Sequence, residues 1–82
     1  LRNGADQTGG GGGVTAADIV PDLKFRGLYS VLYHVCAVID DYGVLVVVLR
    51  TWRKRQKVWD YSAERMTLVL RRFDEGYYQV AK

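Results

Sequence analysis

Eighty-two residues with a formal net charge of +3, one cysteine, one histidine and one proline make one small domain at most. A single Cys36 and a single His34 exclude an intrachain disulfide framework and a self-contained zinc site, and no cofactor is expected. Charge is uneven: residues 1–23 carry Arg2 against Asp6, Asp18 and Asp22, whereas residues 24–82 carry eleven basic side chains against six acidic ones, a balance that favours a polyanionic partner.

The chain opens on Leu1 with no apolar h-region behind it, so no signal peptide is expected there, and the start reads as that of a processed product or a fragment. "LRNGADQTGGGGGVTAAD" has no apolar periodicity and holds five consecutive glycines, Gly9 to Gly13, whose ordering costs the most backbone entropy. Residues 1–23 are therefore expected to be a Gly-rich extended arm or linker. Held in one conformation, such an arm needs outside contacts, which points to neighbouring protein subunits; the alternative is an unfixed tail. A phosphate-binding loop lacks both the preceding strand and a following Gly-Lys-Ser/Thr. Pro21 pushes Val20 toward extended geometry and makes "ADIVPDLKFRG" a transition into a domain at 24–82.

"LYSVLYHVCAVIDDYGVLVVVLRTW" reads as a β-hairpin with strands near 28–39 and 44–52. Asp40 and Asp41 suit the start of a type I turn, and Gly43 supplies a positive φ. A single long helix fits the apolar spacing too, but would carry Gly43 and a run of β-branched valines in its interior. The same 22 residues from Leu28 to Leu49 are long enough to span a bilayer, with tyrosines at one end and cations at the other. Asp40 and Asp41 oppose a lipid-exposed span, since each costs roughly 2.5–3.5 kcal/mol near the membrane centre.

"DYSAERMTLVLRRFDEGYYQVAK" supports a helix near 61–74 capped by Asp60 or Ser62, with Met66, Val69, Leu70 and Phe73 on one stripe and Gly76 at the C′ position. Residues 77–81 are then free to pair onto the sheet. The competing reading makes strands of "TLVLRRF" and "YYQVAK" across Asp74-Glu75-Gly76.

Between the hairpin and this helix lies the one constellation with a mechanism. Arg50, Arg53, Lys54, Arg55 and Lys57 place five positive charges in eight residues without an acid, beside Trp52 and Trp59. Cationic groups neutralise phosphates and release counterions, and an indole stacks on an unpaired base. The candidate nucleic-acid-binding residues are therefore Arg50, Trp52, Arg53, Lys54, Arg55 and Lys57. A solvated loop with half-buried tryptophans is the competing explanation. A general-base role for His34 with Asp40 or Asp41 needs the fold to join them, and turn geometry already accounts for the aspartates.

Residues 26–61, "RGLYSVLYHVCAVIDDYGVLVVVLRTWRKRQKVWDY", resemble the C-terminal sheet of RelE/ParE-type toxins: a Y-x-x-x-Y strand, an acidic turn, a "VVVL" strand, then basic residues and a "VY" ending. In ribosome-dependent members, basic and aromatic residues of that sheet contact messenger RNA. The resemblance implies a ribosome-dependent mRNA interferase with Arg50, Arg53 and Arg55 as RNA contacts. The family places two helices before its sheet, where this chain has its glycine-rich segment.

The expectation is an α+β domain, a small antiparallel hairpin-based sheet with one C-terminal helix behind a Gly-rich arm. Its favoured role is a non-catalytic structural subunit of a large assembly, an RNA-binding ribonucleoprotein component in a reducing intracellular or organellar compartment. The alternatives are an accessory subunit of a membrane complex with a span near 28–49, and the toxin.

Overall fold

The computed structural model describes residues 13–81. The expected arm contact at Gly9–Gly13 therefore lies outside the described residues, apart from exposed Gly13. Five strands, β1 (Lys24–Arg26), β2 (Leu32–Asp41), β3 (Val44–Arg53), β4 (Val58–Arg65) and β5 (Gln79–Val80), form one antiparallel sheet in the order β4-β3-β2-β1-β5. One helix, α1 (Met66–Asp74), crosses one face of it. The α+β class expected from the sequence holds.

The central hairpin is the expected one, with shifted ends. Leu28–Ser30 form a 3-10 turn instead of opening the strand, and Tyr29 and Ser30 both adopt left-handed backbone there. At the tip, Asp41 pairs with Val44 across the two residues Tyr42 and Gly43, at φ 51 and 87. Two positive φ values in a two-residue loop mark a type I′ turn, which suits the strand twist better than the expected type I. The Asp40 carboxylate accepts the Gly43 N–H at 2.8 Å and closes the loop. The long-helix reading is excluded by this pairing.

Two expectations need correction. The helix does not begin near 61: Tyr61–Arg65 continue β4, and the N-cap is Arg65, with no side-chain cap from Asp60 or Ser62. Alternation of Trp59, Tyr61 and Ala63 against Asp60, Ser62 and Glu64 fits a strand, and the cross-strand pairs it makes with β3 outweigh the local cap signals. The basic connection is thereby compressed to the turn Lys54–Lys57, whose closing bond runs from the Lys57 N–H to the Arg53 carbonyl at 2.7 Å. "KFR", read as a transition, is β1, which lies inside the sheet between β2 and β5.

The C-terminal reading fits closely. Met66, Val69 and Phe73 are buried and Leu70 packs against them. Gly76, at φ 84, donates to the Phe73 carbonyl and Tyr77 to that of Arg72, the paired bonds of a Schellman ending. The chain then turns so that β5 pairs with β1.

Side-chain alternation gives the sheet two unlike faces. The covered face contributes Phe25, Val35, Val47 and Leu49, packed with Met66, Val69, Phe73, Tyr78 and Ile19 into the core. Ile19 belongs to the segment grouped with the arm, and Val14 and Leu23 also pack against this core. Phe25 is its centre, with ring centroids 5.3 Å from Tyr33, 5.1 Å from Phe73 and 4.6 Å from Tyr78. At its rim, the Arg72 guanidinium donates to Tyr78 Oη at 2.8 Å and to Glu64 at 3.1 Å, joining α1 to β4. Burial pushes the Tyr78 hydroxyl above its usual titration range, against the Arg72 hydrogen bond.

Candidate nucleic-acid interface

The opposite face carries no helix among the described residues. Register places Lys24, His34, Arg50 and Tyr61 side by side across β1, β2, β3 and β4. One step toward the Lys54–Lys57 turn, Trp52 faces Trp59 directly, and Arg26 faces Leu32.

These side chains touch. The Trp52 and Trp59 rings meet edge to face at 5.2 Å and 66°, and His34 meets Trp59 at 5.3 Å and 76°. The Arg50 guanidinium carbon stands 4.2 Å from the centroid of the Trp59 ring. Cation and indole attract through the ring quadrupole, so Arg50 holds Trp59 across β3 within reach of His34 on β2. Trp59 is half-buried by this packing, while Trp52 and Tyr61 keep 46% and 59% of their surface exposed. Trp59 is thus a support, and the two others are available to a partner.

The six residues singled out from sequence divide among three places. Arg50 and Trp52 lie on the open face. Arg53 points to the covered face, where its Nε and Nη2 donate to the same Asp60 oxygen at 3.1 and 2.7 Å. Lys54, Arg55 and Lys57 are exposed in the turn and pair with no acid among the described residues. The three arginines of the toxin resemblance are separated in the same way. Residues the sequence reading did not assign to the site join it: Lys24 and Arg26 from β1, His34 from β2, and Tyr61 from β4.

No family model, curated protein or solved structure matches the chain. The chemistry of the face is therefore read from its own residues.

His34 sits between two cations. Burial, then Lys24 and Arg50, lower its pKa below the ordinary 6.5, and Asp22 opposes them. Asp40 and Asp41 lie six and seven residues further along β2, on the order of 20 Å away at strand rise, so they do not form a catalytic pair with it. With the folded value below the unfolded one, the unfolded chain binds more protons beneath pH 6.5. The stability linked to His34 is full above that pH and is lost as pH falls through the folded value. An imidazole NMR titration is expected to give a midpoint below 6.5, and His34→Gln to remove that share of the acid sensitivity. A midpoint at or above 6.5 would mean that Asp22 outweighs the burial and both cations.

The far end of the open face is chemically different. Ala37, Ile39, Val44, Val46, Val48 and Ala63 occupy it, with Ile39 49% and Val44 44% exposed and with Asp41 and Arg65 at its edge. Antiparallel sheets that face water on one side place polar residues there. An aliphatic surface in that position fits a protein contact.

Among the described residues, no helix is long and apolar enough to cross a membrane, and residues 28–49 form a turn and two antiparallel strands. No group of three or more His, Cys, Asp or Glu side chains is placed to hold a metal ion among those residues.

Proposed function

We propose that this chain is a non-catalytic, RNA-binding component of a ribonucleoprotein assembly. The observation that carries the reading is the division of the sheet face that carries no helix among the described residues into a cationic aromatic half and an aliphatic half. The first, with Lys24, Arg26, Arg50, Trp52 and Tyr61, pairs phosphate-neutralising charge with exposed rings on which bases stack. The second, around Ile39 and Val44, suits a neighbouring subunit. The neighbour is also the proposed contact of the Gly-rich arm, from which Val14, Ile19 and Leu23 are taken out because they pack on this chain's own core.

Lys54, Arg55 and Lys57 extend the positive surface beyond the end of the sheet, adjoining Trp52. Arg53 contributes less, because Asp60 already neutralises it. The test is association of the purified chain with a fluorescent single-stranded RNA oligomer, measured across a salt series. Binding that weakens linearly in the logarithm of salt concentration is expected. Absence of RNA binding at low salt, together with capture by anionic lipid vesicles, would assign the cationic surface to a membrane instead.

A further inference from the structure

We infer that the cleft at the turn end of the open face takes one unpaired nucleotide of a single-stranded RNA, its base against Trp52 and its phosphate between Arg26 and Lys54. The inference rests on the RNA-binding reading and specifies which form of RNA the site selects.

The cleft has a volume of about 440 Å³ and is lined by Arg26, Ser30, Leu32, His34, Trp52 and Lys54 among others. That volume lies within the range of roughly 300–1,000 Å³ common to small-molecule sites. Among the described residues its lining includes no Asp or Glu and includes two cations, Arg26 and Lys54, so its complement is an anion. One wall is the Trp52 ring, which Trp59 braces edge to face at 5.2 Å while 46% of the residue stays exposed. A braced indole loses little side-chain freedom when a base stacks on it.

The other wall is built with unusual backbone. Tyr29 and Ser30 are consecutive non-glycine residues at φ 59 and 58, a conformation that L-residues adopt at a cost. This arrangement brings the Ser30 carbonyl to Arg26, whose Nη1 donates to it at 3.1 Å. One guanidinium N–H is thereby occupied in orienting the group, and the rest of the fork is left for a phosphate. Thr51 Oγ1 donates to the Leu32 carbonyl at 2.8 Å and fixes the floor between β2 and β3. Local strain, an oriented cation and a braced indole thus converge on one cleft.

Selection for unpaired RNA follows from stacking. Inside a duplex both faces of a base are covered by its neighbours, so the Trp52 ring has nothing to stack on. A duplex would meet only the cations. An unpaired nucleotide meets both.

The experiment compares fluorescent octa-uridylate with a short RNA duplex at low salt, using the full chain. Wild type is expected to bind the octamer more tightly. Trp52→Ala is expected to weaken octamer binding by roughly 5- to 150-fold, the range for removal of one stacked base, with its salt slope and the duplex affinity unchanged. Trp52→Phe retains a ring and should recover most of the loss. Arg26→Gln and Lys54→Gln should each flatten the octamer salt slope by about 0.7. Tyr42→Ala, at a fully exposed ring on the opposite end, should change nothing. Thermal melts of each variant separate binding from folding, since Trp52 is not part of the buried core.

If wild type binds octa-uridylate and Trp52→Ala binds it equally, or if the duplex binds more tightly, the cleft assignment is wrong and the RNA-binding reading stands. If wild type binds neither RNA, the broader reading fails with it.

Discussion

Phe25→Ala is expected to lower the thermal midpoint by about 12 to 40 °C, or to abolish cooperative unfolding altogether. Phe25 is fully buried, and three aromatic rings lie within 5.3 Å of its centroid. Removing a buried phenyl costs about 3–5 kcal/mol, the sum of forfeited transfer energy and an incompletely collapsed cavity. Folded domains as a class hold only about 5–15 kcal/mol in total, and small ones sit toward the lower end. The damage also spreads through the sheet. β1 has three residues and is the link between β2 and β5, so loosening Phe25 releases β5, Tyr78 and the Arg72–Glu64 pair together. Differential scanning calorimetry against Tyr61→Ala, an exposed ring on the other face, gives the contrast. A midpoint for Phe25→Ala within a few degrees of wild type would show that the ring cluster is not the centre of the core.

Replacing Lys54, Arg55 and Lys57 together with Gln is expected to flatten the salt dependence of single-stranded RNA binding by roughly two log units of slope, about 0.7 for each phosphate that is no longer neutralised. Between about 50 mM and about 200 mM salt, that change makes the fall in affinity roughly 20-fold smaller. Arg53 behaves differently in this scheme. Its guanidinium is already 2.7 Å from Asp60, so Arg53→Gln alone should change the slope by less than one turn residue does. Asp60→Asn should act in the opposite sense, strengthening RNA binding and steepening the slope by freeing Arg53. Both residues are about half exposed, so the pair contributes little to stability and the variants should remain folded. An unchanged slope in the triple variant would place the turn away from the bound RNA.

The legible parts of this fold were those set by local chemistry. Gly43 between two valine-rich runs announces a tight hairpin, and the Phe73-to-Gly76 spacing announces the end of a helix, because both depend on residues within one turn of each other. β4 was hidden for a different reason. Asp60, Ser62 and Glu64 resemble a helix start when read along the chain, and only the opposing Trp52 and Arg50 show why Trp59 and Tyr61 alternate. β1 was hidden by brevity, since three residues carry no periodicity. The site shows the same division. The charge run from Arg50 to Lys57 is plain in the sequence, yet its members alternate between two faces and a turn. Arg53 meets an acid seven residues away, and Lys24 and Arg26 reach the cluster through the β1–β2 pairing.

The interruption at Cys36 reaches beyond the pairing of β2 with β3. Val35 pairs with Leu49 and Ala37 with Val48, so Cys36 is one extra residue in β2 against an uninterrupted β3, a β-bulge. A bulge of this kind bends its strand and increases the local twist. The cationic aromatic rows lie on one side of it and the aliphatic rows on the other. The bulge therefore falls between the two halves of the open face, at the place where β2 bends. On the proposed reading, RNA and a protein neighbour would sit on either side of that bend, on the same face of one sheet.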